Sequence, residues 1–521
     1  MQKKFFKPIA IGNATALIAV ASLLSYVIGL FRDRIIAIHF GTSSATDTYN
    51  ASFLIPDMIF NLFIAGALAA AFLPIFSDYL IKDKKEAYKI ANTMLTGAVI
   101  LISLLAILAF IFMANIIPFA FPGTEISMQQ DIINMTRLML GSAVLFAISN
   151  TLGNILMSYK HFISYAISPI LYNLGIILGV IFLKDSLGIY SAAVGVLIGA
   201  TLHCIIRVID TFSTEYEFKF DINFRHPGFK KIIKLMIPRS LSLIAWQINL
   251  YIFAIVGLSI QTGGLAAFNF ARNIQSFPVS LFGISFATAV FPYITEAISK
   301  NDKKTYTEHI QKTIQRILFF SIPAAAGIII LAKPLVELIL GGGVFDEESV
   351  RLTTIILSFF ALSIPFESIT HILSRSFYAL HNTITPTIIN ILGMIIIGMI
   401  TYYIAPVYGI AWFSIGFSIG MAFYMIVMIF FLKKHLQNFN SKQFIISLSK
   451  TMVATGIMII ALLISDPLGT IISLKFAHII RILLGTAIFF LTAIALKSEE
   501  TGSIKYILDR LLKKPLNESK K

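Results

Sequence analysis

Charge is scarce in this 521-residue chain: Asp, Glu, Lys and Arg together make up 13% of it, against 57% hydrophobic residues. A soluble domain carries about 25% charged residues, so this composition excludes an ordinary water-soluble globule. A mean hydropathy of +0.85 agrees. Cysteine is nearly absent. Cys204 stands alone inside an apolar run, which excludes an intramolecular disulfide and leaves the redox compartment unmarked. No phosphate-cradling glycine-rich loop with its lysine, no nucleophile elbow and no cluster at metal-ligand spacing occurs. An enzyme is not expected, nor a bound nucleotide, cofactor or metal. Gly341-Gly342-Gly343 reads as a turn after an apolar run.

What the chain has instead is hydrocarbon in long runs. Crossing about 30 Å of bilayer takes about 20 apolar residues as a helix, because every backbone polar group must be paired internally. About fourteen such segments are expected on that basis. They run over 9–31, 49–77, 90–118, 135–158, 163–183, 188–208, 233–259, 264–295, 313–333, 350–372, 384–405, 409–432, 447–465 and 472–496. The first is too long for a cleaved signal peptide and lacks its small-residue pattern, so it is expected to stay as a span. The Lys and Arg residues sort to one side. Lys82, Lys84, Lys85, Lys89, Lys219, Arg225, Lys230, Lys231, Lys300, Lys303 and Lys304 fall there, whereas the loops near 119–134, 260–263 and 405–408 contain no Lys or Arg. That asymmetry predicts a multi-pass membrane protein with both termini cytoplasmic. It also accounts for the net charge of +15 through topology and anionic lipid, without nucleic acid.

The chain repeats itself. Ser168-Pro169-Ile170-Leu171-Tyr172-Asn173-Leu174-Gly175 returns as Thr385-Pro386-Thr387-Ile388-Ile389-Asn390-Ile391-Leu392-Gly393, an offset of about 217 residues. At nearly that offset Ala69-Ala70-Ala71-Phe72-Leu73-Pro74 returns as Ala287-Thr288-Ala289-Val290-Phe291-Pro292. Each copy is followed by an Asp-Lys-Lys loop, at Asp83 and at Asp302. The expected organisation is an N-lobe of helices 1 to 6 over 1–208, a cytoplasmic linker over 209–232 and a C-lobe of helices 7 to 12 over 233–434. Helices 13 and 14 follow over 435–496, then an amphipathic tail over 497–521 with Ile504, Ile507, Leu508, Leu511 and Leu512 on one face. Each lobe holds an even number of spans, so the lobes should be related by a pseudo-two-fold along the membrane normal, with a pathway between them.

Ionised groups in hydrocarbon cost several kcal/mol, so those within spans face a wet cavity or a partner. Arg32, Asp33 and Arg34 are expected to close helix 1, Asp47 to open helix 2 and Asp57 to lie about three turns inside it. The second lobe has Arg239, Arg272, Asn273, Glu367 and His371. Glu367 and His371 share a helix face and could form a proton relay, a metal pair or an internally satisfied polar contact. Two ligands are too few to define a metal site. Asn150 and Asn154 occupy the equivalent face of helix 4, as a cavity stripe or as interhelical hydrogen bonds.

These residues resemble the MurJ (MviN) family of lipid II flippases, in the multidrug/oligosaccharidyl-lipid/polysaccharide exporter superfamily. The resemblance rests on Gly29-Leu30-Phe31-Arg32-Asp33, Phe40-Gly41, Ala45-Thr46-Asp47-Thr48-Tyr49, Ile55-Pro56-Asp57 and Phe72-Leu73-Pro74. In the second lobe it rests on Phe277-Pro278, Phe282-Gly283, Ala287-Thr288-Ala289 and Arg375-Ser376-Phe377-Tyr378-Ala379-Leu380 with Thr385-Pro386. It implies an all-α fourteen-helix protein that moves undecaprenyl-pyrophosphate-linked disaccharide-pentapeptide to the outer leaflet by alternating access. It further implies a cationic cavity for the pyrophosphate and a groove on helices 13 and 14 for the lipid tail. Arg32, Asp33 and Asp47 match the family pattern directly. The family's other arginines fall here at Tyr26, at Phe60 or Asn61, and at Asn273, with Arg272 adjacent; its helix 2 glutamate falls at Ala65.

The expected function is therefore lipid II translocation for cell-wall synthesis. The expected substrate-binding residues are Arg32, Asp33, Asp47, Asp57, Arg272 and Asn273, with Glu367 and His371 as an ion or proton relay. The expected drive is membrane potential or an ion gradient. Expected partners are the lipid-linked glycopeptide, membrane lipids and cell-wall synthesis proteins, around a monomer. Another undecaprenyl-linked glycan as cargo, a cation-coupled drug antiporter and a non-transporting scaffold for cell-wall enzymes stay open as alternatives.

Overall fold

The computed structural model describes residues 11–61, 66–465 and 474–502. The expected tail helix around Ile504 to Leu512, Ala65 and the side chain of Arg239 lie outside the described residues. Among those described the chain is all-α, with one isolated bridge between Gly342 and Phe345 in place of any strand. Eleven helices are long and apolar enough to cross a membrane. A twelfth span arises if Glu347–Ala361 and Ser363–Ala379, bent by 44° at their junction, count as one. The expected count of fourteen is not reached on the described residues.

Two compact units make up the chain. The first comprises Met1–Phe270, Ile339–Ser349 and Thr401–Ile410, and the second comprises Ala271–Leu338, Val350–Ile400 and Ala411–Lys521. In the first unit α1 is Ile11–Phe40, α2 Ser44–Ser52, α3 Leu54–Phe60, α4 Gly66–Lys82, α5 Lys84–Ala120, α6 Ile126–Ser158, α7 Ile163–Leu187, α8 Tyr190–Thr211 and α9 Pro227–Ile260. Helix α9 packs on α4 within this unit. Helix α10, Gly264–Pro278, supplies residues to both. The second unit then has α11 Ser285–Ser299, α12 Lys303–Ile330, α13 Ala332–Ile339, α14 Glu347–Ala361, α15 Ser363–Ala379 and α16 Ile384–Met399. A short α17, Ala405–Tyr408, returns to the first unit. Then α18 Ala411–Leu432, α19 Ser441–Ile464 and α20 Leu474–Ala495 complete the second.

Two expectations about the first helices are corrected. Helix α1 runs to Phe40 instead of ending near 31, so Arg32, Asp33 and Arg34 lie within it and do not close it. No Gly or Pro stands between Arg32 and Gly41, whose φ of +62° ends the helix in the left-handed region that an L side chain resists. Expected helix 2 is broken. Pro56 lacks the N–H that would bond the Ser52 carbonyl, and that carbonyl accepts the Thr136 hydroxyl at 3.3 Å from α6 instead. The chain therefore restarts as α3, which puts Asp57 in the first turn of a short helix and not three turns inside a long one.

The sequence repeat is a structural repeat at the level of local elements. Pro74 lies inside α4 and Pro292 inside α11. Asp83 then caps α5 by accepting the Lys85 and Glu86 N–H groups, and Asp302 caps α12 by accepting that of Thr305. Lipid gives helices no hydrophobic reason to associate, so close packing and small residues must do it. In the first unit Gly175 of α7 meets Gly199 of α8 so closely that a Cβ on Gly175 would sit 2.2 Å from the Gly199 Cα. In the second, Gly393 of α16 faces the Gly420 carbonyl of α18 in the same manner.

Candidate functional site

The first unit organises its charges around Arg32. The Arg32 Nε and Nη2 donate to Asp33 Oδ1 at 3.0 and 2.6 Å, and Nη1 donates to Asn173 Oδ1 at 3.0 Å. Asn173 on α7 is held in turn by Nδ2 bonds to the Pro169 and Ser25 carbonyls at 3.1 and 3.4 Å. Asp33 is buried while the Arg32 side chain keeps 22% of its surface exposed. The guanidinium is thus fixed on one edge and has N–H donors left on the other, the arrangement a phosphate oxygen needs. Tyr49 and Tyr172 lie within electrostatic reach of both Arg32 and Asp57. The structure therefore gathers Arg32, Asp33 and Asp57 into one neighbourhood.

Asp47 has a different place. Its Oδ2 accepts the Gly263 N–H at 2.6 Å and its Oδ1 the Ala266 N–H at 2.8 Å, with 1% of the residue exposed. Both oxygens cap the start of α10, where the unpaired N–H groups and the helix dipole favour a carboxylate. Gly263 is required there. Its φ is +78°, and a Cβ would lie 2.1 Å from the Thr42 carbonyl oxygen. Nearby, the 339–349 loop docks on the end of α1 through Arg34 Nη1 to the Ile339 carbonyl at 2.9 Å and Val344 N–H to the Ile38 carbonyl at 2.9 Å. The Asp346 carboxyl in that loop is held below its ordinary range because it accepts the backbone and side-chain hydrogens of Ser349.

In the second unit Glu367 of α15 accepts from Gln275 Nε2 at 2.9 Å, and the same nitrogen donates to Ser363 Oγ at 2.8 Å. Arg272 is close enough to act on the Glu367 charge. Arg272, Gln275, Ser363 and Glu367 thus form one group, with Asn273 and His371 half-buried beside them in sequence. His371 follows Glu367 by one turn of the same helix.

Asn150 and Asn154 serve the first unit internally. Asn154 Nδ2 donates to the Asn150 carbonyl, and Asn150 Oδ1 accepts from Arg207 Nη1 at 3.2 Å. Arg207 itself, 3% exposed, also donates to Ser168 Oγ at 3.0 Å and the Ser149 carbonyl at 2.9 Å. Sequence reasoning missed two of these residues. Asn173 was visible only as a letter of the repeat, and Arg207 as a basic residue at the end of an apolar run.

A family model described as lipid II flippase MurJ matches residues 36–482. A lipid II flippase MurJ from Burkholderia cenocepacia is 25% identical over 426 residues, covering 79% of this chain and 82% of its own. One from Thermosipho africanus is 27% identical over 483 residues, covering 92% and 95%. The solved structure of a lipid II flippase MurJ in an inward closed conformation is similar with a TM-score of 0.79 at 25% identity, covering 92% of this chain and 98% of that one. An inward-facing multidrug resistance MATE transporter shares the fold, with a TM-score of 0.66 at 18% identity over 81% of this chain and 97% of that one.

Proposed function

Since this chain belongs to the lipid II flippase MurJ family, we propose that it carries lipid II across the cytoplasmic membrane for peptidoglycan synthesis. It is a multi-pass membrane transporter and not an enzyme. The observation that carries the reading is the family match over residues 36–482, which contains every expected substrate-binding and relay residue except Arg32 and Asp33. Those two stand just ahead of it, on the same helix.

The chemistry suits a pyrophosphate. Its oxygens shed water only against strong, directed donors, which arginine supplies as a planar fork. In this reading Arg32 contacts the pyrophosphate, Asp33 and Asn173 hold the guanidinium, and Asp57 with the Tyr49 and Tyr172 hydroxyls faces sugar or peptide. Arg272 and Asn273 form the second contact set, and Glu367 with His371 is the group on which a proton or cation would act. Asp47 positions the backbone around Gly263 rather than touching cargo. Membrane potential or an ion gradient supplies the energy for alternating access. The Lys and Arg asymmetry places both termini in the cytoplasm, and the chain works as a monomer.

The test is complementation of a flippase-depleted bacterium by the parent and by Arg32→Ala, with outward exposure of lipid II as the readout. Rescue by the parent and failure of an equally expressed Arg32→Ala are expected. A well-expressed parent that leaves lipid II inside would move the cargo to another undecaprenyl-linked glycan, which the residues at Tyr26, Phe60 and Asn273 would then explain.

A further inference from the structure

A cavity lies wholly within the first unit, with neither Arg32 nor Asn173 in its wall. It encloses about 740 Å³ between α5, α6, α8 and the segment that follows α8. Sites of about 300–1,000 Å³ are large enough to enclose most of a small-molecule ligand. Its wall is apolar, with Leu95 and Val99 from α5, Leu152 from α6 and Val208 from α8. Among its lining hydroxyls, Tyr216 donates to Asn92 Oδ1 at 2.6 Å and Thr211 to the Arg207 carbonyl at 2.7 Å. Thr96 differs. It is 5% exposed, and its Oγ1 has no hydrogen-bond partner among the described residues. A hydroxyl so buried without a partner is unfavourable, so a ligand acceptor reaching it would be bound the more tightly.

The rim is an extended strap over 215–226. It is tied down at both ends, by Tyr88 Oη to the Glu215 carbonyl at 2.9 Å and by the Asn223 N–H to Thr93 Oγ1 at 3.1 Å. Between the ties Phe218 and Phe220 line the cavity while remaining 54% and 76% exposed, as residues facing hydrocarbon would be. Glu217 lines it too, and lies 3.7 Å from Lys219 in an exposed pair. A carboxylate beside an ammonium presents no net charge to a purely anionic headgroup. It complements a zwitterion that carries both a phosphate and an N–H cation.

We propose that this cavity is a structural phospholipid site for a lipid with a primary-ammonium headgroup, of the phosphatidylethanolamine class. One acyl chain fills the Leu95, Val99, Leu152 and Val208 pocket, an ester carbonyl accepts the Thr96 hydroxyl, and the headgroup exchanges partners with the Glu217–Lys219 pair. Its place in the inner leaflet rests on the orientation proposed above. The binding itself does not.

Native mass spectrometry of the full chain with equimolar phosphatidylethanolamine, phosphatidylglycerol and phosphatidylcholine tests it independently of leaflet and of flippase activity. Retention of phosphatidylethanolamine over each of the others by about three- to tenfold is expected, the equivalent of one or two headgroup hydrogen bonds. Val99→Trp, which fills the pocket, should abolish retention. Thr96→Val, nearly isosteric and thus a safeguard against misfolding, should weaken it at an unchanged melting temperature. Glu217→Gln should keep a lipid bound but remove the preference over phosphatidylcholine. Unchanged retention in a folded Val99→Trp, or in Thr96→Val, would overturn the site. Preference for phosphatidylglycerol, or replacement by an undecaprenyl phosphate added at equal concentration, would overturn the lipid class.

Discussion

Arg32 and Asn173 are joined by a 3.0 Å hydrogen bond between positions 141 apart in sequence, tying α1 to the first copy of the repeated Pro-Ile-Leu-Tyr-Asn segment. The bond leaves the guanidinium pointing one way. Removing it frees a half-buried cation to rotate onto Asp33 alone.

Asn173→Ala is therefore expected to impair lipid II exposure in the complementation assay while leaving expression normal. A hydrogen bond to a charged group contributes about 1.5–3 kcal/mol, so a loss of roughly tenfold or more in transport is the scale to look for. Transport equal to the parent would remove Asn173 from the site.

Asp47→Asn should loosen the start of α10. It keeps the shape but loses the charge at a helix N-terminus and one of two acceptors, an expected loss of about 1–2 kcal/mol in stability. Hydrogen exchange at the Gly263 and Ala266 amides should quicken. Exchange as slow as in the parent would contradict the cap.

Gly175→Ala is expected to destabilise by about 1–3 kcal/mol, because its Cβ would meet the Gly199 backbone at 2.2 Å and neither helix can yield. Gly327→Ala on α12 meets nothing within 4 Å and should instead stabilise by about 0.5–1 kcal/mol. Thermal unfolding of the two purified variants checks both signs at once.

Arg207→Lys keeps the charge but cannot reach Ser168, Ser149 and Asn150 together. An expected loss of about 2–3 kcal/mol follows from hydrogen bonds to a buried cation left unmade. A melting temperature within error of the parent would show that the network contributes nothing.

Acid should act at Asp302 before α12. Its carboxyl is held below the ordinary value chiefly by the Thr305 hydroxyl, then by the Thr305 N–H. With a depressed folded pKa, the cap's contribution is complete above the ordinary Asp value of about 3.9 and disappears as pH falls through the lower folded value. Asp302→Asn should flatten that part of the stability profile. An unchanged acid limb would exclude the cap as its source.

Much of this was readable beforehand where the physics is local. Asp83 and Asp302 follow a proline-containing helix and precede lysines, and both are caps because a short acceptor beside unpaired N–H groups has one good use. The charges at Arg32, Asp33 and Arg34 suggest an end to helix 1 that the backbone does not make. A helix ends where the backbone must turn, at Gly41, and Arg32 can stay inside because Asp33 neutralises it. An apolar run over 49–77 hides the break at Pro56, and only the Thr136 hydroxyl shows how the orphaned Ser52 carbonyl is satisfied.

The amino-acid sequence by itself determined that this is a helical membrane protein built from a repeated unit, since hydrocarbon length, loop charge and internal similarity are properties of the chain alone. It also carried the family, through motifs spread along most of that chain. Tertiary structure alone decided which polar residues are spent on the protein and which keep donors for a ligand. Asp47, Asn150 and Arg207 look as available as Arg32 in one dimension. In three, the Gly263 and Ala266 amides hold Asp47, and Arg207 donates to Asn150 and to the Ser149 carbonyl; no spacing rule encodes a partner that arrives from more than fifty residues away.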